Sequence, residues 1–240
     1  MCFDISSTKI KQLFEKNRGA AFVKEFNYEP YYHATGFSYP KISIIKSEET
    51  NKIHPSTWGL VPDWGHQDLI SFRKKYNTLN AKSETLLSSN MYKEHALENR
   101  CIILVDGFFE PHRSFDTTIP YYCYIPSKDF EDGRDIFAFA GIYNSINDHT
   151  SCSIITTEAN EYFSEIHNIK KRMPLVLNED FVGDWLDPNL SKNNITSILN
   201  EGFTKKEFNS HSISKSLYSR GKNNNTPSVI TKVSYNTLFD

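Results

Sequence analysis

The chain has 240 residues, 38% apolar, 23% charged and 14% aromatic, and its 27 Lys and Arg against 29 Asp and Glu leave a net charge of -2. That length suits one large or two small domains with an ample core, and because Ser, Asn and Thr rather than charge replace the missing apolar residues, disorder, collagen, coiled coil and disulfide frameworks are all excluded. The strongest apolar run, Ile102 to Val105, stops at Asp106, far short of the roughly 20 residues of a membrane span, and the near-neutral balance confines any nucleic-acid site to a local basic groove.

In chain order, Ile10, Leu13 and Phe14 recur at helical spacing over residues 8–18, with Ser6 or Ser7 as the cap and Gly19 as the stop. Lys41 to Lys46 reads as a strand, as does Thr57 to Val61 before Pro62. Residues 83–98 suggest one or two short helices. Strand-like runs follow at Arg100–Val105, Pro120–Ile125, Ile136–Ile142 and Ser151–Thr156. A helix is expected from Thr157 to Ile166, with Glu158 and Glu161 near its positive end. Asn178-Glu179-Asp180 caps another that Asp187-Pro188 ends, and a last helix runs from Ser191 to Asn200 until Gly202. The most loop-like stretch, Ser219 to Pro227, precedes a short closing segment. Clustered strands with helices between them predict an α+β fold, a single domain over 1–240 with a mixed, curled, barrel-like and mostly antiparallel sheet.

Four cysteines, at 2, 101, 123 and 152, include no C-x-x-C pair, and the N-terminus has neither a basic nor an apolar leader region. A reduced, cytoplasmic protein without a metal site is the expectation. Cys2 is small enough for Met1 to be trimmed, which would put an α-amine (pKa about 7.7–8.0) and a thiol (about 8.5) on adjacent carbons. Such an aminothiol closes a thiazolidine on an aldehyde, or acts as an N-terminal nucleophile on amides. The plain alternative is an early residue with no role.

Asp106-Gly-Phe-Phe-Glu110 ends the apolar strand on a carboxylate beside aromatics, suited to acid–base work or to an ordinary ion pair. Thr156 to Asn160 joins a strand to a helix, where capping is the simplest role, and His167 sits at that helix's end as a C-terminal cap. Asn80-Ala-Lys-Ser-Glu-Thr85 suits anion binding or a helix start. Trp58-Gly-Leu-Val-Pro-Asp-Trp64 puts two Trp around a turn, for core packing or base stacking.

Taken in order with Met1-Cys2, Arg100-Cys101, Phe139-Ala-Gly141, Ile166-His167 and Arg172-Met-Pro-Leu-Val-Leu177, this set resembles the SOS response-associated peptidase (SRAP) family. The resemblance implies a protein of the DNA damage response that senses abasic sites in single-stranded DNA and cross-links to them through the mature Cys2, after autoproteolytic removal of the first residue. It implies Cys2 as nucleophile, Asn80 orienting it, Glu110 as the acid–base that opens the deoxyribose, and His167 assisting proton transfer. Lys82, Thr156 and Arg172 would hold phosphates, with Trp64 and Pro40 along the strand. It implies chemistry without a cofactor and association with the nucleoid when bound to damaged DNA, while a monomer is the default expectation and the short apolar runs predict no membrane partner. A self-processing cysteine peptidase and a non-catalytic single-strand or modified-base binding module remain alternatives.

Four positions depart from the family pattern. Phe3-Asp4 stands where Gly-Arg is common, Lys82 replaces an arginine, Pro111 replaces a Trp after Glu110, and His167-Asn-Ile-Lys-Lys-Arg172 lengthens a His-x-Arg spacing.

Overall fold

The computed structural model describes residues 2–219 and 221–235, so Met1, Arg220 and the end of the closing segment lie outside the described residues. Thirteen strands form two sheets among these residues. The first contains β1 (Asp4–Ser7), β3 (Tyr31–Thr35), β8 (Gly107–Ser114), β9 (Thr117–Tyr124) and β13 (Asn209–Ser212), in the order β13-β9-β8-β1-β3. The second contains β2 (Ala21–Phe22), β4 (Lys41–Lys46), β5 (Glu49–Trp58), β6 (Asn80–Lys82), β7 (Arg100–Val105), β10 (Phe137–Ile146), β11 (His149–Glu158) and β12 (Arg172–Pro174). Antiparallel pairs run from β11 through β10, β7 and β4 to β5, and a parallel contact of β5 on β11 at Ser151–Thr57 and Cys152–Trp58 closes them into a ring. The expected α+β class with a curled, mostly antiparallel sheet is what the chain forms.

Within the ring β7 is buried on both faces, which is why it reads as an unbroken apolar run. Cys101, Ile103 and Val105 point into one core with Phe137, Phe139 and Ile154. Ile102 and Leu104 point into the other, with Trp185, Ile195 and Ile198 from α5 (Glu179–Leu186) and α6 (Lys192–Glu201). The inner face of the five-stranded sheet delivers Cys2, Ile5 and Phe108 to the first of these cores. Buried Arg100 secures the helical side: its guanidinium donates to the carbonyls of Ala96 and Leu97 in α3 (Lys93–Glu98), and to Trp185 and Asp187 where α5 ends.

Several expected boundaries move. The first helix, α1 (Lys11–Arg18), starts at an Ile10 cap with no side-chain hydrogen bond, while Ser6 and Ser7 are buried in β1. Their hydroxyls are committed elsewhere: Ser6 Oγ donates to Asp106 Oδ1 at 2.7 Å and lies 3.0 Å from the Tyr122 hydroxyl, and Ser7 Oγ lies 2.9 Å from the Tyr28 hydroxyl. Of the strand expected at Thr57–Val61 only Thr57 and Trp58 are strand, as the end of β5, which starts at Glu49, while Gly59 to Val61 leave the sheet. β11 runs on to Glu158, so α4 (Glu161–Ile166) starts later than Thr157, behind Asn160, whose side chain accepts from the Phe163 N–H at 2.9 Å. Asn178 precedes α5 without a side-chain cap, whereas Ser191, where the last helix is expected to begin, is the side-chain cap of α6. Asp106 interrupts the chain rather than ending the strand region, and β8 carries on through Glu110, which lies mid-strand between β1 and β9.

The break at Asp106 anchors the N-terminal arm. Its buried carboxylate accepts from Ser6 Oγ, from the Thr8 N–H at 2.9 Å and from Thr8 Oγ1. Gly107 leaves no room for a side chain because the Tyr122 hydroxyl occupies the space over it. Asp106→Ala is expected to cost about 3 kcal/mol, since it strands several donors that charge-assisted bonds now satisfy. Urea unfolding midpoints check this, and a loss below about 1 kcal/mol would contradict the anchoring role.

Candidate active site

Two periodicities bring the site together. On β8, Phe108 and Glu110 share one face, as residues i and i+2 of a strand do. Phe163 and His167 share one face of the α4 turn, at i and i+4. Phe108 packs on Phe163 with ring centroids 5.6 Å apart, so the next pair along, Glu110 and His167, is driven together: Glu110 Oε2 lies 3.0 Å from His167 Nδ1. The same Nδ1 lies 3.0 Å from the Arg172 carbonyl. A carbonyl can only accept, so Nδ1 carries the proton and donates it to the Arg172 carbonyl, with the Glu110 carboxylate at ion-pair distance. Glu110 is fully buried and His167 nearly so.

Cys2 enters from the arm that leads into β1, whose register on β8 opposes Asp4 to Phe109 and Ile5 to Phe108. The amide of Asn80, at the start of β6, donates from Nδ2 to the Cys2 carbonyl at 2.9 Å. Its Oδ1 is buried with no partner among the described residues. β6 lies parallel on β11, with Asn80 opposite Ile154 and Lys82 opposite Thr156. Burial pushes the Cys2 thiol well up, the Glu110 charge adds to this, and the Asp4 carbonyl 3.8 Å away is its hydrogen-bond partner.

The other three cysteines are also free and buried, and burial pushes each thiol up, that of Cys152 to about 12. The folded state thus holds these protons more tightly than the unfolded chain. The stability this represents is complete below an unfolded thiol pKa of about 8.5 and is lost as pH rises toward the folded values. Alkylation of Cys2 by iodoacetamide at pH 8 is accordingly expected to run at least about tenfold slower than for an exposed cysteine. Peptide mass spectrometry reads the rate, and one matching free cysteine would contradict the buried thiol.

Cys2, Asn80, Glu110 and His167 therefore meet at one place. The expected phosphate ligands are close by and differently engaged. Arg172 ion-pairs with Glu84 at 2.6 Å and donates to the Thr156 carbonyl (2.6 Å) and Oγ1 (3.2 Å). Burial works against the Glu84 carboxylate, but the Arg172 fork outweighs it and holds the group below the usual range. Thr156 is buried and Lys82 exposed. Trp64 stands apart on the turn Asp63–Asp68, 53% exposed, edge-on to Phe72 and Tyr76.

Two openings flank the buried centre. A hollow of about 220 Å³ lies against His167, with Arg113 and Lys170 on its walls. A cleft of about 1230 Å³ runs along β1, β3 and residues 217–219 and 222–225, and takes in Pro40 and Lys41. Phe3, Pro111 and Thr118 border both. The lengthened spacing after His167 builds one wall: Asn168 accepts from the Arg113 N–H at 2.9 Å and donates to its carbonyl at 2.8 Å, extending the β8 edge, and Lys171 turns back with φ 46°. Arg113, Phe37 and Tyr218 on these borders lie in no motif, whereas Phe3 and Lys170 stand in stretches that depart from the family pattern. Among the described residues no three His, Cys, Asp or Glu side chains gather as a metal site requires, and no described helix is long and apolar enough to cross a membrane.

The family model described as SOS response associated peptidase (SRAP) matches residues 1–219. Abasic site processing protein YoaM of Bacillus subtilis is 32% identical over 184 residues, which cover 74% of this chain and 75% of that one. Abasic site processing protein YoqW of the same organism is 30% identical over 214 residues, covering 87% and 89%. A crystal structure of a protein from Bacteroides thetaiotaomicron superposes with a TM-score of 0.83 at 30% identity, over 97% of this chain and all of that one.

Proposed function

The chain belongs to the SOS response-associated peptidase (SRAP) family, and on that premise we propose that it processes abasic sites in single-stranded DNA by forming a thiazolidine between Cys2 and the opened deoxyribose. The observation that carries this reading is the convergence on Cys2: its carbonyl is held by Asn80, and the Glu110–His167 pair is buried beside it. The relatives named as abasic site processing proteins support the substrate.

An abasic sugar is mostly a closed hemiacetal, which hides its aldehyde. Glu110, as a carboxylate, takes the C1′ hydroxyl proton, and the ring opens as a proton returns to the ring oxygen. His167, held through Nδ1, keeps the Glu110 carboxylate oriented toward the sugar. With Met1 removed, the Cys2 α-amine adds to C1′ and expels water, leaving an imine. The thiol then adds across the C=N bond: sulfur bonds to C1′ and its proton ends on nitrogen. One water is lost overall. Because the thiol is held in its neutral form, it needs a base at this step, and Glu110 acts on it more strongly than any other charged group. Holding amine, thiol and aldehyde together supplies the advantage that dissolved cysteine lacks. The unpartnered Asn80 Oδ1 offers an acceptor to the amine or the hydroxyl of the adduct.

The test is intact-protein mass spectrometry before and after mixing with a single strand containing one abasic site. The expected result is a starting mass without Met1, then a gain of one oligonucleotide less one water. A trimmed protein that forms no such adduct overturns the reading. Noncovalent binding should weaken as salt rises, through counterion release, and a flat response between 50 and about 200 mM salt would contradict a phosphate-binding groove.

A further inference from the structure

Phe3 follows the reacting residue and borders both openings. Its ring pairs with Phe37 at 4.9 Å between centroids, and Phe37 is 60% exposed. Resting on the cross-linking reading above, we propose that Phe3 and Phe37 form a stacking platform for the base next to the abasic sugar. The cleft they border, about 1230 Å³, exceeds the usual volume of a small-molecule site. A sugar bonded to Cys2 leaves its neighbouring nucleotide within one residue of Phe3, so the platform lies within that nucleotide's reach.

The charges around the platform agree with this. Asp4 would repel a phosphate, but His33 Nε2 holds its carboxylate at 2.9 Å and aims it toward β3. Lys41 and Lys222 supply cations at the cleft border. The far wall is Tyr218, 44% exposed, with the segment from Lys222 to Asn225. That segment lies beyond residues 1–219, so residues past the family match complete the cleft. Its amides hold its own shape: Asn224 Nδ2 donates to the Leu217 carbonyl at 3.0 Å, and Asn225 Oδ1 accepts from the Tyr32 N–H at 2.8 Å. With its amides engaged and its aromatics open, the cleft favours stacking that tolerates any base over hydrogen-bonded readout. The Phe3-Asp4 pair thus exchanges the charge attraction of a Gly-Arg pair for a ring contact.

The test is a cycle between protein and DNA. Binding is measured by fluorescence anisotropy for Cys2→Ala and for Cys2→Ala/Phe37→Ala, to exclude covalent trapping. The strands carry an abasic site with normal neighbours, or with a base-free spacer on the 5′ or the 3′ side. Removing the base on one side should weaken binding about 5- to 150-fold, the range for one stacked base. Phe37→Ala should cost a similar factor with normal neighbours and less than twofold once that base is missing. Losses that multiply independently, or no dependence on either neighbour, overturn the platform. Adduct formation by the unaltered protein is scored separately, so an intact cross-link beside independent losses sinks only this inference.

Discussion

Glu110→Gln is expected to slow adduct formation about 100-fold or more, the usual cost of losing a general acid–base. The substitution keeps the shape of a fully buried side chain and takes away only its charge and its proton-accepting power. Its effect on the thiol runs the other way. The Glu110 charge is, after burial, the second cause that pushes the Cys2 thiol up, so Gln leaves that thiol easier to ionise. A slower reaction in the variant therefore cannot come from a thiol that is harder to ionise. It must come from ring opening or from a lost proton transfer, in imine formation or in the thiol addition that Glu110 serves as base. A strand carrying an open-chain aldehyde in place of the abasic sugar separates the two: it should restore most of the lost rate if opening is the affected step. Single-turnover gels read both rates. A Glu110→Gln rate within twofold of the unaltered protein on the abasic strand would remove Glu110 from the mechanism.

Local signals in the chain identify the elements whose burial is uniform along their length. β7 is buried on both faces and reads as an apolar block with the observed ends. Ser191 and Gly202 bracket α6, because capping chemistry is local. Closure of the ring is not local. It depends on Ser151 and Cys152 meeting Thr57 and Trp58, which no short-range pattern encodes. Ser6 and Ser7 look like helix caps for the same reason that they serve in β1: a short hydroxyl bonds whatever donor or acceptor the fold presents, and here that is Asp106 and Tyr28.

The site divides in a similar way. Motif order singles out Cys2, Asn80, Glu110 and His167, but their meeting depends on the stacking of Phe108 on Phe163, which aligns a strand face with a helix face. Arg172 shows the limit of reading a cation by type. Glu84 and Thr156 already engage its guanidinium, so a phosphate at this position must compete with a formed ion pair. Arg113, on the hollow beside His167, lies in no motif, because a surface cation becomes informative only once its neighbours are known.

Cys2→Ser is expected to abolish adducts that survive denaturation while preserving one that reduction can trap. The variant keeps the α-amine, the Asn80 contact to the residue 2 carbonyl and the Glu110–His167 pair, so the proposed imine still forms. Serine offers a hydroxyl where the thiol would close the ring, and a hydroxyl is a far weaker nucleophile toward C=N, so the imine hydrolyses back to aldehyde and amine. Cyanoborohydride delivers hydride to that imine and leaves a stable secondary amine, and denaturing gels with and without it distinguish the two states. The DNA itself supplies a second readout. An imine at C1′ acidifies the C2′ protons, and loss of one drives elimination of the 3′ phosphate, whereas a closed thiazolidine has no C=N bond to promote that loss. Strand cleavage should therefore rise in Cys2→Ser relative to the unaltered protein. A full yield of stable adduct from Cys2→Ser would show that sulfur is dispensable. Failure of both stable and reducible adducts would show that the α-amine never reaches the sugar, and in the unaltered protein the thiazolidine reading requires both atoms at the same carbon.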